Sequence, residues 1–548
     1  MALFEVNDLS VSFGARGMRT PVVNGVSFAV DAGQTLAVVG ESGSGKSVSL
    51  LAATGLLGPR AQVSGSVRFE GSEILHLPAA QLRALRGARI GYVSQDPSSN
   101  LHPLKRVGAQ IAEAIRVHRP MRGRALRERA VELLGEVGIR DAWRHVDDYP
   151  WQLSGGMRQR VMIAMAIAMN PALVIADEPT TALDVTVQAS IMRLLRQLQD
   201  RHGTALVFVS HDLALVSDIA QRIVVMQRGG IVEAGDAEQV YRQPAHPYTR
   251  ELLAASLPVG APPPKPNVEA PVQARPLLRV EAISRKRVSR TGWRTHERTV
   301  LDEISFDLHE GEILGLVGES GSGKSTMGRI VAGFDRPDSG RVRLDGKTYV
   351  EAGRGSPHLD AAMRRSIQMV FQDPYGSLNP RQRVATILAE PFVNQRPPQA
   401  GSIDDAVALL AQRVGLSADL LNRFPAQLSG GQRQRVAIAR AVALQPRVVV
   451  ADEPVSALDL TTQRHIVALL RTLSDTLRVS FLFISHDLAV VSELCDRVLV
   501  LEGGQIVEAG PPDEVLARPQ HAFTRRLVQS IPGRGRLFQS DLLEVDYV

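Results

Sequence analysis

The sequence predicts an α/β protein built from two copies of one domain, each with a mostly parallel sheet core and a helical insert. Three observations carry this prediction. The string GESGSGKS occurs at Gly40–Ser47 and again at Gly318–Ser325. Other shared strings recur at nearly the same separation: Lys46 and Lys324 lie 278 residues apart, Gln95 and Gln372 277, and the LSGG, ADEP and SHDLA strings 275. A near-constant offset over five motifs is what two homologous domains with small insertions produce. Finally, short apolar runs alternate with longer amphipathic ones, the pattern of strands and covering helices.

Along the chain, QTLAVVG (Gln34–Gly40) and EILGLVG (Glu312–Gly318) are largely apolar runs closed by glycine, as buried parallel strands are. ALVIADE and VVVADE, then ALVFVSH and FLFISH, read as further strands. Ala125–Gly138 and Ile191–Gly203 have helical periodicity. The stretch between Gln95 and Leu153 lacks clear strands and is expected to be a helical insert. A proline-rich run, LPVGAPPPKPNVEAPVQARP (Leu257–Pro276), separates the copies. Proline fixes φ and lacks a backbone donor, so an extended linker is expected at 257–276 between domains at 1–256 and 277–548.

Composition limits the classes of function. A length of 548 residues implies two to four domains, and 44 % apolar with 22 % charged residues fits a soluble, globular chain. No apolar run approaches the roughly 18 residues of a spanning helix. Glu5 and Asp8 fall where a secretory leader would place its apolar core. The single cysteine, Cys495, cannot form an intramolecular disulfide or a thiolate metal site, and suits a reducing, cytoplasmic setting. The formal charge of +6 comes from scattered arginines without a basic block or interleaved aromatics, so no nucleic acid partner is expected.

The repeated string has the Gly-x4-Gly-Lys-Ser spacing of a P-loop. Gly40, Gly43 and Gly45, and their counterparts Gly318, Gly321 and Gly323, let backbone N–H groups converge on phosphate at the positive end of a helix. Lys46 and Lys324 are expected on the β- and γ-phosphates, Ser47 and Ser325 on Mg2+, with Thr326 beside the latter. Asp177 and Asp452 end apolar runs, where a carboxylate can hold the metal's shell. The adjacent Glu178 and Glu453 can polarise an attacking water. In LSGGM and LSGGQ, Ser154, Gly155 and Gly156, with Ser429, Gly430 and Gly431, open helices and offer a hydroxyl and free N–H groups to a second anion.

These strings, with SHDLA and the ALD triplets at Ala182 and Ala457, resemble the nucleotide-binding domains of ATP-binding cassette (ABC) proteins over essentially the whole chain. The resemblance implies an ATPase using ATP and Mg2+, whose two domains close head to tail on two nucleotides. One composite site would use Lys46, Ser47, Gln95, Asp177, Glu178 and His211 with Ser429 and Gly431 opposite. The other would use Lys324, Ser325, Gln372, Asp452, Glu453 and His486 with Ser154 and Gly156. Gln95 and Gln372 would join the metal shell, and each histidine would sense the γ-phosphate. Both copies keep glutamate and histidine, so both are expected to hydrolyse ATP. In this family an upstream aromatic stacks on adenine; Phe13 fits, while its counterpart is Arg287, with Trp293 as a substitute. Met157 replaces a glutamine, and His102 stands where the second copy has Asn379.

The tails QPAHPYTRELLAASLP (Gln243–Pro258) and RPQHAFTRRLVQSIP (Arg518–Pro532) resemble the extension of ATPase subunits from the peptide, nickel and glutathione importers. That resemblance implies two membrane-spanning permease subunits, an extracytoplasmic solute-binding protein and a peripheral place on the cytoplasmic face of the inner membrane. Di- and oligopeptides lead the expected cargoes. The alternative is a tandem-cassette ATPase acting on ribosomes, which typically has a long charged helical linker. His246 and His521 are expected to be structural rather than metal ligands.

Overall fold

The computed structural model describes residues 2–14, 19–181, 183–256, 275–291, 294–353, 360–394, 401–456 and 458–531. Each half is centred on a six-stranded sheet. In the first half the strand order is Gly230–Asp236, Arg222–Gln227, Thr35–Val39, Ala205–Ser210, Leu173–Asp177, Ile90–Val93. Every pair is parallel except the Gly230–Asp236 edge. The second half has the equivalent order, with the antiparallel edge at Gln505–Gly510. Thr35–Val39 and Ile313–Val317 are buried at every position, because layers cover both faces.

One of those layers was not expected from the sequence. Each half also carries a four-stranded antiparallel sheet, ordered Thr20–Val30, Phe4–Phe13, Ala61–Phe69, Ser72–Glu73 in the first. Phe4, Val6, Leu9 and Val11 point inward and pack with Leu36 and Val38 of the central sheet. Their strict alternation is broken at Asp8, whose φ of 49° marks an irregularity in the pairing between Val6 and Leu9. The opposite face is covered by helices, including the insert helices Val107–Arg116 and Gly123–Glu136, whose buried side chains Ile111, Ile115, Leu133 and Leu134 join the main core. In the second half Val384–Asn394 and Ile403–Arg413 do the same.

The two halves meet through their C-terminal helices. Pro247–Ser256 packs on Leu460–Leu477 of the second half, and Ala522–Gln529 packs on Val185–His202 of the first. The Arg464 guanidinium donates to the Ala254 carbonyl across this contact. Cys495 is buried, against Gly315. Most of the expected linker, 257–274, lies outside the described residues, as do Ala182, Trp293 and Ala457. Among the described residues no helix is long and apolar enough to cross a membrane.

Candidate functional site

The strand Thr35–Val39 delivers the chain to Gly40 at the sheet's carboxyl edge, and the helix Lys46–Ala53 follows. Gly40 has φ 150°, and a Cβ there would lie 2.2 Å from the Met226 carbonyl oxygen. Gly45, at φ 98°, occupies the left-handed region as the loop enters the helix. Gly318 and Gly323 repeat both features, with the Leu501 carbonyl as the obstacle at 2.2 Å. Lys46 folds back over the loop, its Nζ donating to the Gly40 carbonyl at 2.7 Å and the Glu41 carbonyl at 2.8 Å. Lys324 does the same to Gly318 and Glu319, at 2.7 and 2.9 Å. Burial pushes both ammonium groups below their usual value, against the pull of nearby carboxylates. The Ser44 and Ser322 hydroxyls are buried and have no hydrogen-bond partner among the described residues. A cradle of converging glycines, a buried ammonium and a spare hydroxyl fits a polyphosphate.

At the next strand end, Ser47 Oγ donates to Asp177 Oδ1 at 2.7 Å, and Ser325 Oγ to Asp452 Oδ1 at 3.0 Å. These hard oxygens suit Mg2+, which takes one or two protein oxygens together with phosphate and water. Burial raises both aspartates, opposed by their serine hydrogen bonds. Tyr92 adds a second donor to Asp177, at 2.8 Å from Oδ2, where the second half has Met369.

Glu178 and Glu453 sit in the left-handed backbone region, at φ 46° and 47°, which is uncommon for a non-glycine residue and concentrates at functional positions. Glu178 accepts from Gln95 Nε2 at 2.8 Å and Thr181 Oγ1 at 3.0 Å, and Lys46 Nζ is 4.0 Å away. His211 Nδ1 lies 3.5 Å from Glu178, and His486 Nδ1 lies 3.2 Å from Glu453. Burial alone would raise Glu178, but His211 and Lys46 outweigh it and bring the carboxyl down to about 2. Glu453 is lowered for the same reasons. Both histidines are raised because their glutamate contacts overcome burial. Gln95 and Gln372 contact these glutamates, at 2.8 Å each, rather than the serine–aspartate pairs.

Ser154 and Ser429 cap the helices Gly155–Ile167 and Gly430–Val442, each accepting an N–H three residues on at 3.3 Å. In the second half the Gln432 amide oxygen also accepts from the Ser429 N–H at 3.0 Å, a reciprocal bond Met157 cannot make. A Cβ on Gly156 or Gly431 would approach Val187 or Thr462 to 2.6 or 2.3 Å, so close packing on the next helix requires glycine at both.

A cavity of about 200 Å³ joins these parts across the halves. The first half lines it with Gly43, Lys46, Ser47, Gln95, Glu178 and His211, and the second with Ser456, Leu458 and Asp459. Ser429 and Gly431 do not line it; Gly430 instead stands behind Leu458, 3.4 Å from where its Cβ would be. Reciprocally, the Ser320 N–H in the second P-loop donates to Asp184 Oδ2 of the first half at 3.3 Å. Phe13 is half-buried at the end of its strand, paired with Thr20 and outside the cavity lining, and Arg287 is exposed. Sequence reasoning did not single out Tyr92, Thr181, Ser456 or Asp459. Of these only Asp459 carried a signal, as the last residue of an ALD triplet.

The His102/Asn379 difference, without an account from the sequence, and the structural role expected of His246 and His521 both resolve locally. His102 Nδ1 accepts from the Leu104 N–H at 3.2 Å, and Asn379 Oδ1 from the Arg381 N–H at 3.0 Å, so two different side chains close the same turn. His246 and His521 likewise accept from the N–H two residues on, at 3.2 and 3.3 Å.

Fold and site together define a P-loop ATPase with two cassettes in one polypeptide. The ABC transporter family model matches residues 23–181 and 301–456, and the chain belongs to that family. The oligopeptide/dipeptide transporter C-terminal region matches residues 232–279 and 507–537, the two tails. The chain is 44 % identical over 563 residues to the glutathione import ATP-binding protein GsiA of Pectobacterium atrosepticum, covering 96 % of this chain and 89 % of that one. It is 44 % identical over 537 residues to the peptidoglycan transport ATP-binding protein YejF of Agrobacterium fabrum, covering 96 % of each. To the ABC transporter ATP-binding protein YejF of Escherichia coli it is 44 % identical over 529 residues, covering 96 % and 99 %. The protein is thus the ATP-hydrolysing subunit of an importer, and the ribosome-acting alternative finds no support.

Proposed function

We propose that the chain binds two ATP molecules between its halves and uses their hydrolysis to drive uptake of di- and oligopeptides or glutathione. The observation that carries this is the cavity where the first P-loop, Glu178 and His211 face Ser456, Leu458 and Asp459 of the other half. Lys46 and Lys324 would each keep their two loop carbonyls and turn the remaining N–H toward the β- and γ-phosphate oxygens. Ser47 with Asp177, and Ser325 with Asp452, would hold Mg2+, which neutralises phosphate charge when bound. Gln95 and Gln372 would turn from their glutamates to join that shell. Glu178 and Glu453 would orient and polarise the attacking water, and His211 and His486 would hold the γ-phosphate and keep their glutamates ionised. The signature residues Ser154, Gly155 and Gly156, and Ser429, Gly430 and Gly431, would reach the opposite nucleotide by closing past Leu183 and Leu458. Phe13 would stack on one adenine.

The peptide-type tails and the relatives' import functions support the cargo class. The same comparisons support a peripheral position on the cytoplasmic face of the inner membrane, beneath two permease subunits served by an extracytoplasmic solute-binding protein. The test is reconstitution of the full chain with the membrane-spanning permease subunits that co-purify with it, assayed over a panel of peptides and glutathione. ATP-dependent uptake lost in Lys46→Ala and Lys324→Ala is expected. A complex that hydrolyses ATP and moves neither peptide nor glutathione would overturn the cargo assignment.

A further inference from the structure

We propose that the Tyr248 hydroxyl is a positioning group for the first P-loop lysine, and that its absence from the second half makes the two nucleotide sites unequal. Tyr248 lies in the helix Pro247–Ser256, and its oxygen accepts the Glu41 N–H at 2.9 Å. The carbonyl of that same residue accepts Lys46 Nζ at 2.8 Å. Two hydrogen bonds in series therefore run from the C-terminal extension, through one P-loop residue, to the ammonium expected on the phosphates. The helix holding Tyr248 is itself seated on Leu460–Leu477 of the second half. The first P-loop is thereby tied to its extension, and that extension to the partner half.

The equivalent residue is Phe523, 275 positions later and on the same offset as the LSGG, ADEP and SHDLA strings. The local fold is conserved between the halves. His246 and His521 accept the N–H of Tyr248 and Phe523 at 3.2 and 3.3 Å, and Glu233 and Glu508 accept the N–H of His246 and His521 at 2.9 and 3.1 Å. Both rings are buried, 4 % and 2 % exposed. The ring is kept and the hydroxyl alone differs, so packing does not account for the tyrosine. Burial pushes the Tyr248 phenol up to about 12, so it remains a neutral hydroxyl at physiological pH. Lys324 contacts Glu319 in the same way as Lys46 contacts Glu41, but phenylalanine has no oxygen to offer the Glu319 N–H.

This inference rests on the two lysines being the nucleotide ligands. The test is titration of the full chain with a fluorescent ATP analogue, in Lys324→Ala to isolate the first site and in Lys46→Ala to isolate the second. Tyr248→Phe is expected to weaken the first site about three- to tenfold, the range of one net hydrogen bond, and to leave the second unchanged. Phe523→Tyr is expected to tighten the second site. In the otherwise unmodified chain, Tyr248→Phe should raise the KM for ATP with kcat within about a factor of two. Equal weakening of both sites by Tyr248→Phe, or no weakening of the first, overturns the positioning role while leaving the nucleotide sites standing. If Lys46→Ala removes no binding, the nucleotide reading and the positioning role fail together.

Discussion

Glu178→Gln separates the chemistry of the first site from its architecture. Glutamine keeps the length of the side chain and an oxygen for Gln95 Nε2 and Thr181 Oγ1, which approach to 2.8 and 3.0 Å. What disappears is the charge, 4.0 Å from Lys46 Nζ. At an effective dielectric of about 20, unit charges at that distance interact by about 4 kcal/mol. Releasing even a third of this to the phosphates is about tenfold in ATP affinity. Losing the base costs about 10²- to 10⁴-fold in turnover. Affinity and rate should therefore move in opposite directions. Lys46 and His211 hold the resting Glu178 carboxyl below its usual range, so it stands ionised where it can accept from the attacking water. The assay is phosphate release and equilibrium nucleotide binding by the full chain, with Glu453→Gln as the companion variant. A Glu178→Gln protein with unchanged turnover, or with weaker ATP binding, would refute this account.

The Glu178–His211 contact sets a pH dependence. A carboxyl brought from 4.5 to about 2 corresponds to about 3 kcal/mol of native-state stability, at about 1.4 kcal/mol per pH unit. Because the folded value is depressed, this stability is complete above the unfolded 4.5 and is lost as pH falls through about 2. His211, raised from 6.5, describes the same contact from the other side: stability present below 6.5 and lost as pH rises through its folded value. Calorimetry should find the unfolding midpoint of the native chain above that of Glu178→Gln at pH 6, with the gap narrowing below pH 4.5. A constant gap would show that the pair is not its source. Gln432→Met, which deletes the reciprocal bond to Ser429, should lower stability by about 0.5–1 kcal/mol; urea unfolding of the full chain measures it, and an unchanged midpoint would count against the cap.

What the sequence makes legible here is what local sterics and burial demand. Gly40 and Gly45 are readable because no side chain fits their φ or their neighbours, and Thr35–Val39 because a strand covered on both faces is apolar throughout. The antiparallel layer was hidden because the Asp8 irregularity breaks the alternation that would have revealed it. The Ser456–Asp459 edge of the cavity was out of reach for a different reason: it arrives from the other half, and no spacing within one copy encodes that approach. Tyr92 and Tyr248 escaped notice because each acts through a single hydroxyl on a residue distant in sequence. The two copies agree at the lysine, serine, aspartate, glutamate and histidine assigned to phosphate, metal and water. They differ at the groups that hold those residues, Tyr92 against Met369, Met157 against Gln432, and Tyr248 against Phe523. With the catalytic set kept in both halves and the supports changed, both are expected to hydrolyse ATP, each with its own affinity and rate; equal affinities and rates at the two sites would show that these supports do not tune them.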